Sequence, residues 1–286
     1  MGTARGAYCR YRFTVQVGEF SVTPVLDGRF ELPATLFFPS TSEEDWAPHH
    51  RFLNEDGTLP LDVGGFLVRY GRRTILIDVG VGPPAPAPGF GVFLDGLAAQ
   101  GVSPAEVTDV VFTHLHFDHI GWASAEGAPV FPNATYRCHQ LDWDFFLSPD
   151  LPEIQTGKIL GAQLTPPERL TPIAGHIEAW DGDGPIVPGI DVRHAPGHTP
   201  GNTVIVLSSG TDRAILLGDV CHCPVELLDS GFEAVGDVDP DLARRTRQAW
   251  IDELEGTRVP ATAAHFPGMQ FGRLLPAQGK RQWVIG

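Results

Sequence analysis

Period-two alternation and short apolar runs bounded by turn residues recur along the chain, so it reads as strand-rich. Residues 13–17 and 20–26 are expected to form an opening hairpin. Residues 66–70 and 74–79 are expected to form a second hairpin around Gly71, ending in Asp78-Val79-Gly80. A buried strand is expected over 109–113, and another strand over 135–138 that leads into a helix over 139–147. Four strands follow at 177–180, 190–194, 203–207 and 213–217, and a last buried one at 259–263. Further helices are expected over 93–100 and, shorter, over 154–160. Ser103-Pro104-Ala105-Glu106 has the form of a helix start, with Pro at the first helical position and an acid at the third. Asp239 and Pro240 begin a helix that runs to about Glu255, with Leu242, Ala249, Trp250 and Leu254 as its apolar side and Gly256 as its stop.

Two stretches lack a period. Residues 31–60 are interrupted by Pro33, Pro39, Pro48 and Pro60 and read as a long loop anchored by Phe37, Phe38, Trp46 and Phe52. The proline-rich run 83–89 reads as a stiff connector. Because β-hairpins are frequent, a purely parallel doubly wound sheet does not fit. Two mixed β-sheets flanked by helices, in one domain over 1–286, fit better.

Composition narrows the function classes. With 286 residues, 42% of them hydrophobic, the chain can bury a sizeable core. A net charge of −15 argues against a nucleic-acid surface, since phosphates demand clustered Lys and Arg. It leaves an anionic substrate open, because bound cations reverse the local field. The four cysteines, Cys9, Cys138, Cys221 and Cys223, are too irregularly spaced for a disulfide framework and suit a reducing compartment. Residues 1–8 hold no apolar signal core, and runs such as 204–207 and 214–217 are too short to cross a bilayer. A cytoplasmic protein without a membrane partner is therefore expected, and a homodimer is one form it can take.

The chemistry concentrates in Thr113-His-Leu-His-Phe-Asp-His-Ile-Gly121. His114, His116, Asp118 and His119 fall within six residues. In an extended segment His-x-His presents both imidazoles on one side, and the Asp-His pair follows at the turn, so one loop can serve two neighbouring cations. Imidazole and carboxylate suit zinc, and also iron, cobalt or manganese. Three further candidates sit at expected strand ends. His198 lies in Pro196-Gly-His-Thr-Pro-Gly201, Asp219 in Leu217-Gly-Asp219, and His265 in Ala264-His-Phe266. A lone histidine or a Gly-Asp turn says little by itself; the order in which these follow the tetrad says more.

With these residues in place, the chain resembles the metallo-β-lactamase fold superfamily, from about residue 66 to the C-terminal strand. The resemblance implies an α+β four-layer αββα sandwich. It implies two divalent metal ions, in the first instance zinc, with His114, His116 and His198 holding one and Asp118, His119 and His265 the other. Asp219 would bridge both, and Asp78 would orient the ligands. The implied reaction is attack of a metal-bridging hydroxide on a lactone or a related ester. No Gly-x-Ser-x-Gly elbow offers a competing nucleophile. Within the superfamily the chain looks most like the quorum-quenching lactonase and methyl-parathion-hydrolase group. Lactonases of that group carry Tyr three residues after the bridging Asp, where this chain has His222. His222 is therefore a candidate to hydrogen-bond a carbonyl or protonate a leaving alkoxide, beside Asp118 as a proton shuttle; equally, it can be a packed loop residue. The alternatives are an organophosphate triester or β-lactam hydrolase on the same site, an iron-dependent persulfide dioxygenase-like oxidoreductase, and a non-catalytic ligand-binding protein.

Overall fold

The computed structural model describes residues 13–286. Cys9 and the N-terminal segment inspected for a signal lie outside the described residues. By its contacts the chain divides into two compact units. One comprises the chain up to Arg29 with Val63–Gly182, the other Phe30–Asp62 with Asp183–Gly286. Each holds its own cluster of buried hydrophobic side chains.

The strands of the first large sheet are β1 (Val15–Val17), β2 (Phe20–Pro33), β3 (Thr58–Tyr70), β4 (Arg73–Ile77), β5 (Asp109–Val111), β8 (Thr135–His139) and β9 (Ile177–Trp180), in that spatial order. A small hairpin of β6 (Ser124–Ala125) and β7 (Ala128–Pro129) stands apart from it. β1–β2 and β3–β4 pair antiparallel, whereas β4, β5, β8 and β9 run parallel, so the sheet is mixed. Parallel strands buried on both faces read as continuous apolar runs, and β5 is buried throughout. Within the first unit, buried Asp27 ties down the proline-rich run. Its carboxylate accepts the backbone N–H groups of Val81, Gly82 and Phe93 and the indole N–H of Trp122. Burial pushes this carboxyl up from 3.8 to about 6 against the opposing pull of those donors.

The second unit holds the other sheet: β10 (Gly184–Val187), β11 (Ile190–His194), β12 (Thr203–Ser209), β13 (Asp212–Leu216), β14 (Ala261–Thr262), β15 (Gly272–Ala277) and β16 (Lys280–Ile285). Its only parallel pair among the described residues is β13–β14. The helix Pro240–Leu254 crosses between those two strands in sequence. It begins as expected, with the Asp239 carboxylate accepting the Leu242 N–H at 2.9 Å. Its buried face differs from the expected one: Ala243, Arg247, Trp250, Ile251 and Leu254 are buried and Ala249 is exposed. Arg247 belongs to that face because it is paired inside, an arrangement that a hydrophobic pattern cannot register.

Two other expectations need correction. The stretch 31–60 is not one loop. β2 continues to Pro33, and β3 starts at Thr58, with Leu59 to Val63 buried without a break, Pro60 and Asp62 included. Short helices at Ala34–Phe37 and Glu43–Trp46 and a 3-10 segment at Ala47–Phe52 fill the interval. Phe38, Trp46 and Phe52 are buried there, as anchors should be. β10, β15 and β16 were not expected. β16 opens with Lys280, Arg281 and Gln282, whose polar side chains mask the strand pattern. The Ser103–Glu106 cap is present, with Ser103 N and Oγ both donating to Glu106, but it opens only a 3-10 turn.

Candidate metal centre

In the first unit the tetrad follows the end of β5. Backbone geometry prepares the position: Asp78, just past β4, takes a left-handed φ of 58°, uncommon outside Gly, Asn and Asp. So placed, its Oδ1 accepts the Thr113 N–H at 2.8 Å and its Oδ2 accepts the Thr113 hydroxyl at 2.8 Å. The same Oδ2 accepts His119 Nδ1–H at 2.9 Å. One carboxylate thus fixes both the start of the ligand loop and the ring of its last histidine, turning His119 Nε2 away from the pair. His114 Nε2 and His116 Nδ1 approach to 2.9 Å. Their other nitrogens are held from outside: His114 Nδ1 lies 3.1 Å from the Thr113 hydroxyl, and His116 Nε2 lies 2.5 Å from Gln155 Oε1. His114 and His119 are buried, with rings 4.0 Å apart; His116 and Asp118 are half-buried. Asp142 accepts the Leu115 N–H between the two ligand histidines and braces the loop.

In the second unit, His198, Asp219, His222 and His265 come together, each 4–5% exposed. The imidazole Nε2 atoms of His198, His222 and His265 lie 3.4, 3.2 and 3.2 Å from one oxygen, Asp219 Oδ2. Again the outer nitrogens are held. His198 Nδ1 is 2.9 Å from Asp237 Oδ1, and His265 Nδ1 is 2.7 Å from the carbonyl of Asp62. Asp237 is brought there by the approach to the long helix. Val238 N donates to the His198 carbonyl and Asp239 N to the Gly197 carbonyl. Gly197 has a φ of 132°, and a Cβ on it would meet the Ala243 backbone nitrogen at 2.2 Å, so this close approach requires glycine. Asn202 Oδ1 accepts the Asp219 N–H, and Asp62 Oδ2 accepts the Gly268 N–H just past His265.

The loop carrying Asp219 and His222 is clamped by Glu226, which is fully buried. Its Oε2 accepts the N–H groups of His222 and Cys223, and its Oε1 accepts from Arg247 at 2.8 Å. His222 is thus neither at a surface nor in a plain apolar pocket. Burial disfavours its charge, but the adjoining Asp219 carboxylate and Glu226 outweigh that, and its pKa is raised from 6.5 to about 10. Cys221 and Cys223 are buried in the hydrophobic cluster, and burial pushes both thiols up, as suits inert packing residues.

The donor set fits divalent cations. Imidazole nitrogens and carboxylate oxygens suit zinc and its first-row neighbours, and orientation of the far nitrogen by an oxygen recurs in metal-ligating histidines. Sequence reasoning missed Asp237, Glu226, Gln155 and Asp62. Of these only Glu226 left a signal, as a carboxylate inside the apolar run Val225-Glu-Leu-Leu228.

The metallo-beta-lactamase superfamily model matches residues 63–263. An N-acyl homoserine lactonase of Bacillus sp. is 27% identical over 123 residues, which are 42% of this chain and 41% of that protein, so the chain spans well under half the length of this relative. The solved structure of hydrolase AbOPH in the beta lactamase superfamily superposes with a TM-score of 0.84 at 26% identity, over 96% of this chain and 97% of that one. The dizinc quorum-quenching lactonase AidC, solved with a product, gives a TM-score of 0.84 at 24% identity over the same shares. The expected fold, with two large mixed sheets and helices, is therefore the one found.

Proposed function

The chain belongs to the metallo-β-lactamase superfamily, and from that premise we propose that it is a metal-dependent hydrolase with a dinuclear site that opens a lactone or cleaves a related small-molecule ester. The observation that carries the reading is the two-ended anchoring of the histidines: the far nitrogens of His116, His119, His198 and His265 each meet an oxygen, while the near nitrogens of His116, His198 and His265 meet another candidate ligand, His114 or Asp219. His114, His116 and His198 would hold one ion. Asp118, His119 and His265 would hold the other, with Asp219 shared between them. Two bound cations, zinc in the first instance, supply a water acidified to near neutrality and a Lewis acid for the carbonyl oxygen.

The chain's own residues set the conditions for that chemistry. Asp78 keeps His119 in one ring orientation, and Asp237 does the same for His198. Asp118, half-buried on the same turn as His119, would carry a proton toward the leaving alkoxide. Similarity to a lactonase over part of the chain supports a lactone as the substrate class.

The test is a metal analysis coupled to a substrate panel. Chelator-stripped protein reloaded with zinc, cobalt, manganese or iron should turn over lactones or aryl esters ahead of phosphotriesters, thioesters and β-lactams. His116→Ala should lose metal and turnover together. Full activity in that variant sinks the reading, and a single iron per chain with oxygen consumption replaces it with an oxidoreductase.

A further inference from the structure

We propose that His222 is itself a metal ligand, so that His198, Asp219 and His222 form a cation site complete within the second unit. The inference rests on the metal-dependent reading above and extends it: nothing in that reading needs His222 as a ligand.

The argument is geometric. Zinc takes nitrogen and oxygen ligands at about 2.0–2.2 Å in tetrahedral array, which places neighbouring ligand atoms about 3.3 Å apart. The His222 and His198 nitrogens stand 3.2 and 3.4 Å from Asp219 Oδ2, and the ligand atoms of all three residues lie within 4.8 Å of one another. The two contacts to Asp219 Oδ2 match that spacing, and the third side of the triangle is at most 4.8 Å.

His222 also repeats the arrangement of His198 and His265. Its near nitrogen meets the shared carboxylate. Its far nitrogen, Nδ1, faces the buried Glu226 Oε2 at 3.7 Å, as His198 faces Asp237 and His265 faces Asp62. The Nδ1 atom has no hydrogen-bond partner among the described residues, so Glu226 is placed to draw closer to it when Nε2 gives its lone pair to an ion. The ring is boxed in, stacked on His265 at 5.5 Å and edge-on to His198 at 5.0 Å and to Phe37 at 5.2 Å. Its backbone N–H is held by Glu226.

The experiment uses cobalt as the probe and the full chain as the protein. A variant with His114→Ala, His116→Ala, Asp118→Ala and His119→Ala, which removes every first-unit ligand of the two-ion reading, should keep one bound cobalt, visible by its d–d absorption. Adding His222→Gln should weaken that cobalt by more than the roughly 100-fold that marks the upper end of what loss of an outer partner costs. Adding His222→Cys instead should restore binding and introduce a sulfur-to-cobalt charge-transfer band in the near ultraviolet. Should the Gln variant fail to fold, as judged by circular dichroism, the presence or absence of that band decides. Unchanged cobalt affinity in the Gln variant overturns the inference, as does restoration by His222→Phe, which would mark a packing residue. A fourfold variant that binds no cobalt also overturns it while leaving the two-ion reading intact. Wild-type protein that binds no cobalt ends both.

Discussion

The two units present their candidate metal-binding side chains in opposite ways. In the first, four candidate ligands come from one loop, His114 to His119, and chain connectivity alone keeps them within reach of one another. In the second, His198 follows β11, Asp219 follows β13 and His265 follows β14, so three strand ends must be brought into register before any site exists. Proximity in sequence replaces tertiary scaffolding in one case and not in the other. The second set should therefore depend more on its outer partners, and this difference can be tested by removing them in turn.

The largest effect is expected at the point where the second set converges. Asp219→Asn exchanges the carboxylate approached by three imidazoles for a neutral amide, so metal content and turnover should both be lost. Elemental analysis of purified protein alongside lactone hydrolysis checks this. Retained metal would mean that the second unit's imidazoles do not need the carboxylate, and the contrast between the units would disappear.

Next comes the clamp under the same loop. Glu226→Gln leaves the Arg247 guanidinium, 4% exposed in its side chain, without its counter-charge. Breaking a buried ion pair from one side costs about 3–5 kcal/mol, and urea unfolding should register it. In the first unit the ligand loop is braced by Asp142, which accepts the Leu115 N–H at 3.1 Å, and by Asp78, which accepts from His119 and Thr113.

What could be read from the sequence follows the same division. The tetrad was legible because its signal is local, and the turn residues around His198 and the Gly-Asp of Asp219 carried weaker versions of it. The outer partners were not legible. Asp237 and His198 are 39 residues apart, as are Gln155 and His116, and Asp62 and His265 are 203 apart. An aspartate two residues before a helix cap reads as solvated until the fold carries it to a histidine. The fold shows the same limit. Strands with inward alternation were found, whereas β16, with its polar start, and β3, interrupted by Pro60, were hidden by residues whose cost the tertiary structure absorbs.

The outer partners themselves give the sharpest comparison and the smaller effects. Removing a carboxylate that orients a ligand histidine costs about 10–100-fold in metal affinity or activity. Asp237→Asn should lie toward the upper end, because His198 has no ligand neighbour in its own loop to hold it in place. Asp78→Asn should also weaken metal binding. It should lower stability as well, since Asp78 pins the Thr113 backbone from a left-handed φ that asparagine tolerates but without the second acceptor oxygen. Competition of each variant with a chromophoric chelator separates the affinity loss from the stability loss.

The smallest change is expected at Gln155. Its amide oxygen accepts from His116 Nε2 but bears no charge, and His116 is held also by its place between His114 and the turn Phe117–Ile120. Gln155→Ala should therefore cost under about 10-fold in metal affinity, below the usual range for an oriented ligand. Chelator competition run beside Asp237→Asn gives the ratio directly. If the two variants lose affinity equally, sequence proximity contributes nothing to holding the first set, and the two units assemble their ligands by the same means after all.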